Sequence, residues 1–202
     1  MFGPSTVPDF VLPGSLKSFH LQTQADIGVL SMLPIGLGGV ELGCVVQGPA
    51  EGPDMLLSGV ARQKHLTRLS ILSSYVPEQE LLWPAAGPAY SVLTGNSSMV
   101  SLAVSGRLPE GVLLHVFPAE HRLPHLTYLK FGSELNLEDQ VPIAPPPVWT
   151  ASDLSRLVGC CPNLYSFKNV SLQRGRHVSV LTQLQDLQTL HVQYGPAPIA
   201  GP

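Results

Sequence analysis

"ASDLSRLVGCCPNLYSFKNV" runs from Ala151 to Val170, and its reading decides the fold. Leu154, Leu157, Val158 and Cys161 recur at i, i+3, i+4 and i+7, one face of a helix. Ser152 is placed to cap the helix, with Asp153 at its positive end. Pro162 lacks the N–H that would continue the helix and holds Cys161 towards extended geometry. Leu164 and Phe167 then open a short apolar strand pattern. The unit is helix, sharp corner, strand.

The next stretch repeats it. In "HVSVLTQLQDLQTLHV" (His177–Val192), Val180, Leu181, Leu184 and Leu187 form a helical stripe, and Leu187, Leu190 and Val192 close on a strand rhythm. That rhythm, apolar-x-x-apolar-x-apolar, occurs as "LKSFHL" from Leu16, "LGGVEL" from Leu37, "LTRLSI" from Leu66, "MVSLAV" from Met99, "LTYLKF" from Leu126 and "LQTLHV" from Leu187. "LYSFKN" from Leu164 follows it except that Asn169 breaks the last position. The successive steps are 21, 29, 33, 27, 38 and 23 residues. One such hexamer arises by chance in a chain this rich in aliphatic residues, so the spacing carries the case. Pro124 and Pro162 each stand two residues before the first Leu of a hexamer, a shared lead-in. Strands are therefore expected near Leu16, Leu37, Leu66, Met99, Leu126, Leu164 and Leu187, with Leu129 and Leu190 buried at strand centres. "LGGVEL" is the weakest member, because two glycines disfavour a strand.

The steps and the Cys-Pro-Asn-Leu corner resemble the leucine-rich repeat family, in its cysteine-containing, F-box-associated style. The resemblance runs from about Leu16 to Val192 and implies an α/β solenoid: a curved parallel sheet with short helices and loops on the convex side. It divides the chain into an N-terminal extension (1–15), about seven degenerate repeats (16–194) and a flexible tail (195–202). The family's Asn or Cys, three residues after the last apolar strand position, bonds loop backbone along the solenoid. Here Gln24, Val45, Ser74, Arg107, Glu134, Leu172 and Gly195 stand there instead. Three stretches, 47–54, 77–90 and 139–149, lengthen the steps and read as loop insertions on the outer side. Neither end carries a polar capping repeat, as for a fragment of a longer array.

Bulk properties bound the function. The chain has 202 residues, 44% apolar and only 12% charged, with a net charge of −3, too small to argue for nucleic acid or an anionic membrane. Nineteen glycines and twenty prolines demand many turns. Three cysteines, two of them adjacent, fit a reducing compartment better than a disulfide scaffold. The first residues lack a basic segment followed by an apolar core, and no apolar run is long enough to span a bilayer. A cytoplasmic protein is expected, with nuclear or axonemal placement as variants, and not a secreted one.

Chemical motifs are weak. His115, His121 and His125 crowd together, but Pro124 interrupts the i, i+4 pair, so a structural role outweighs a zinc site. Cys160–Cys161 reads as core rather than as a redox or metal pair. "GLGGVELG" lacks G-x-G-x-x-G spacing, and "VPIAPPPVW" reads as a stiff loop rather than as a proline-recognition ligand. No nucleophile or metalloprotease motif occurs, so no cofactor, no small-molecule substrate and no enzyme are expected.

The resemblance implies that residues flanking the middle strand position point to the concave face. One column is Ser18, Gly39, Arg68, Ser101, Tyr128, Ser166, Thr189; the next is His20, Glu41, Ser70, Ala103, Lys130, Lys168, His191. Arg68, Tyr128, Lys130, Lys168 and His191 are the candidate protein-binding residues, suited to an acidic partner. The expected function is protein–protein interaction on that face, with substrate recognition in an F-box-type ubiquitin ligase, or cytoskeletal or axonemal attachment, as alternatives; a hydrolase is the rival class.

Overall fold

The computed structural model describes residues 12–26, 28–46, 54–73, 81–132, 147–172 and 178–193. The elements are β1 (Ser18–Asp26), α1 (Val29–Met32), β2 (Gly39–Val46), α2 (Asp54–Ala61), β3 (Arg68–Ser73), β4 (Ser101–Val104), α3 (Val112–Val116), β5 (Tyr128–Phe131), β6 (Val148–Trp149), α4 (Ala151–Cys160), β7 (Ser166–Leu172) and β8 (Thr189–Gln193), with 3-10 turns at Pro88–Leu93 and Val178–Gln183. All the strands pair in parallel in one eight-stranded sheet. β1 to β5 lie side by side in chain order, then β7, then β8. The two-residue β6 pairs with the end of β7 through Val148↔Ser171 and Trp149↔Leu172. Because β8 holds the other edge of β7, β6 prolongs the line of β5.

Each strand starts two residues after the first apolar residue of its hexamer. Ser18, Gly39, Arg68, Ser101, Tyr128, Ser166 and Thr189 stand in register across seven strands. A backbone device repeats at every strand entry. The carbonyls of Lys17, Gly38, Thr67, Val100, Thr127 and Tyr165 each accept two N–H groups from the start of the next strand. A tight turn precedes the entry: Leu66, Met99, Leu126, Leu164 and Leu187 donate their N–H to the residue three back, which for Leu164 is Cys161. The Cys-Cys-Pro-Asn corner is this turn. Pro162 costs nothing there, since the turn does not use its missing N–H.

The first, middle and last apolar positions of the hexamers face the core, among them Leu37, Val40, Leu42, Leu66, Leu69, Ile71, Leu126, Leu129 and Phe131. They join one cluster with Leu30, Leu56, Val60, Val112, Val116, Leu154 and Leu157 from the helices. Even "LGGVEL" supplies a strand, from Gly39 onward, since pairing on both edges overrides the weak propensity of glycine. Asn169 does not interrupt the core, because a bulge in β7 brings Val170 into register with Val192 and buries it. Leu190 departs from expectation: it is 37% exposed, because β8 has no further strand beside it among the described residues.

Other details differ from the sequence reading. The α4 cap is Thr150, not Ser152: its hydroxyl accepts the Asp153 N–H and the Asp153 carboxylate accepts the Thr150 N–H, a reciprocal capping box. The helical stripe before β8 is only a 3-10 turn, though Leu181 and Leu184 are buried. Two presumed outer insertions enter the core. Leu81, Trp83 and Tyr90 are buried, with Trp83 Nε1 donating to the Ser105 carbonyl at 2.9 Å and Tyr90 Oη to the Pro84 carbonyl at 2.7 Å. Trp149 is fully buried and forms β6 with Val148. The stretch 47–53, residues 77–80 and 139–146, and most of both presumed terminal segments lie outside the described residues.

Serine hydroxyls bond backbone near the ends of β3 and β4. The Ser105 hydroxyl accepts the Ser73 N–H, and the Ser73 hydroxyl accepts the Leu81 N–H, both at 2.7 Å. Gly106 completes the junction: its φ is 107°, and a Cβ there would lie 2.5 Å from the Leu81 carbonyl oxygen.

One entry turn contains a mismatch. Gln63 takes the place held by Leu123, Cys161 and Leu184 in other repeats, and is 4% exposed with neither amide atom hydrogen-bonded among the described residues. A buried amide without partners costs about 1–3 kcal/mol. Gln63→Leu should therefore raise the unfolding free energy by about that amount, read from the midpoint of a urea melt. A lowered midpoint would show that the turn needs the amide.

Candidate functional site

Alternation along a strand sends successive side chains to opposite faces, so the residues flanking each buried middle position line up on the outward face. Register places the first expected column side by side from Ser18 to Thr189 and the second from His20 to Lys168, including Ala103↔Lys130 and Lys130↔Lys168; between Phe167 and Val170 the β7–β8 register shifts, so the second column is not carried on to His191. The columns are not uniform.

At the β1–β3 end a depression of about 420 Å³ opens over the small residues Gly38, Gly39, Ser70 and Ser101, bordered by Lys17 and Arg68. Arg68 is exposed. His20 and Glu41 close the far end as an exposed pair, with Nδ1 to Oε2 at 2.8 Å. At the β5–β8 end the face is bulkier. Tyr128 is half-buried, and the Lys168 ammonium sits 5.6 Å from its ring centroid, a cation–π contact that presents ring and charge as one unit. His191 is exposed on β8.

Lys130 corrects the sequence reading. Its register beside Lys168 is as expected, but it is only 5% exposed, in the middle of the ladder between Ala103 and Lys168. A buried ammonium must be compensated, and Lys130 is not without a partner. It is not an open contact residue. Arg68, Tyr128, Lys168 and His191 remain on the surface, with Arg68 apart from the other three.

The sequence reading missed the column that borders this face at the strand entries: Lys17, Thr67, Thr127, Tyr165 and Gln188. These residues belong to the repeating carbonyl ladder, and Tyr165 donates its hydroxyl to Gln188 Oε1 at 2.7 Å while staying 46% exposed. The second position of every hexamer was the available signal.

The remaining chemical candidates are structural. Burial pushes both thiols up, that of Cys161 far up, and for Cys160 the charges of Arg156 and Arg122 oppose part of the rise. Such thiols are poor nucleophiles and serve as core residues. The His121 ring is hydrogen-bonded through Nε2 to the Thr94 carbonyl, tying one repeat to the next. Among the described residues no three His, Cys, Asp or Glu side chains gather as a metal would require, and no helix is long and apolar enough to cross a membrane. On the helical side, a second depression of about 710 Å³ lies between Leu108–Leu114 and Pro147–Arg156, with exposed Leu114 and Val148 at its border.

No protein-family model matches the chain, and no curated protein matches it.

Proposed function

We propose that the chain is a degenerate leucine-rich repeat solenoid and acts as a protein-binding module, its partner lying across the outward face of the sheet. The carrying observation is the register that aligns Arg68 on β3, Ser101 on β4, Tyr128 on β5, Ser166 on β7 and Thr189 on β8 over a single parallel sheet, with Lys168 two residues beyond Ser166. The chain-order strands, the repeated carbonyl ladder and the Cys-Pro-Asn-Leu turn support the repeat reading. Tyr128 with Lys168 supplies a rigid aromatic anchor beside a charge, the side-chain pairing that dominates many interfaces. The partner is acidic where it meets Lys168 and His191. The module works in the cytoplasm or nucleus, and its task is recognition rather than catalysis, as in substrate selection for ubiquitin transfer or attachment to a cytoskeletal or axonemal structure.

Capture from native lysate tests this reading. Tyr128→Ala and Lys168→Glu should each lose the proteins that the wild type retains, with affinity down by about tenfold or more for the aromatic truncation. Val148→Ser, on the helical side, should keep them. An identical captured set for all four proteins, with circular dichroism unchanged, removes the face from consideration. Labelling of one Ser or Cys by a hydrolase-directed probe would contradict the binding class itself.

A further inference from the structure

The depression at the β1–β3 end carries a more specific assignment, which rests on the protein-binding reading. The geometry points to an anion subsite at Gly38–Gly39, where one acidic side chain of an extended partner segment, carboxylate or phosphoryl, sits between Lys17 and Arg68.

The glycines are the first observation. Glycine is a poor strand residue, so Gly39 at the start of β2, with Gly38 just before it, needs a reason. The backbone supplies none. Neither has a positive φ. A Cβ at Gly38 would meet only the Lys17 carbonyl oxygen at 3.5 Å, and one at Gly39 would meet the Cβ atoms of Ser18 and Arg68 at 3.6 and 3.9 Å. Those are ordinary contacts, so a side chain would fit and would project into the depression. What the glycines do is keep it open.

Charge is the second observation. Ser18, Gly39 and Arg68 are consecutive in register, so the strands that carry Lys17 and Arg68 lie two strand spacings apart, about 10 Å. Both cations line the depression and neither has an ion-pair partner among the described residues. An anion over the glycines is within reach of both, and the hydroxyls of Ser70 and Ser101 line the same depression. Glu41, held by His20, closes the other end. It repels a second anion and so admits a single acidic group rather than an acidic run.

The test is an amide NMR titration of the full chain with three pentapeptides. Each has valines around a central glutamate, phosphoserine or glutamine. The glutamate and phosphoserine peptides should shift the Gly38, Gly39 and Arg68 amides, and the tighter of the two identifies the source of the anion. The glutamine peptide should not. Lys17→Gln and Arg68→Gln should each weaken the anionic peptides by several-fold, and the double replacement by at least about tenfold. Gly39→Leu should abolish binding while leaving the distant amide spectrum unchanged. Equal shifts with glutamine, no shifts at millimolar peptide, or binding that survives both the double replacement and Gly39→Leu overturns the subsite. If the subsite fails while capture still depends on Tyr128 and Lys168, only the subsite falls. If anionic peptides bind while capture ignores Tyr128 and Lys168, the subsite stands and the wider face reading falls.

Discussion

Trp149→Ala should lower the unfolding free energy by about 3–5 kcal/mol, the cost of deleting a large aromatic from a packed core. Trp149 is fully buried and stands among three phenylalanines, with ring centroids 6.1 Å from Phe117, 5.6 Å from Phe131 and 4.9 Å from Phe167. The last two contacts are edge-to-face, the favoured arrangement. Trp149 also ties β6 to β7, so alanine would leave both a cavity and a loosened strand. Its indole N–H, however, has no hydrogen-bond partner among the described residues. Trp149→Phe removes that unpaired donor while keeping most of the ring. It should cost less than about 1.5 kcal/mol, in the range of conservative core exchanges. Urea melts of the two variants check both statements. A small loss for alanine would mean that β6 contributes nothing to the core, and equal losses for alanine and phenylalanine would mean that the indole N–H is satisfied.

The burial of Trp149 was hidden in the sequence for a physical reason. Local pattern reports periodicity, and the proline-rich run before Val148 has none, so it reads as loop whatever it delivers to the core. Leu81 to Tyr90 failed in the same way, since prolines and glycine break the stretch into pieces too short to show a period. The sheet was legible because a parallel ladder repeats one requirement, inward residues at fixed offsets, on every strand. The outward columns were legible as a consequence, because alternation places them once the inward residues are known. The Thr150 cap was also within reach: Thr150-x-x-Asp153 is a capping-box pattern, whereas Ser152 fits a cap by residue type alone. Exposure is another matter. Lys130 and Lys168 occupy equivalent positions on adjacent strands, yet Lys130 is buried and Lys168 only partly so. Position within a strand determines direction, whereas cover depends on neighbours contributed by distant parts of the chain.

Leu129→Ala should cost about 2–5 kcal/mol, whereas Leu190→Ala, at the equivalent position two strands along the ladder, should cost well under half as much. Leu129 on β5 is fully buried, with Leu102 of β4 and Phe167 of β7 paired on either side. Leu190 on β8 pairs with Phe167 on one side only and is 37% exposed. The two leucines have the same chemistry and the same place in the hexamer, so the difference isolates the contribution of a flanking repeat. It also reads the register. A one-residue slip of β5 would turn Leu129 outward and Tyr128 inward, and the alanine penalty would then move to position 128. A Leu129→Ala melt that overlays the wild type would therefore refute the register on which the outward columns depend. A Leu190→Ala penalty equal to that of Leu129→Ala would show that β8 is covered in solution by a surface that packs against it as a further repeat would.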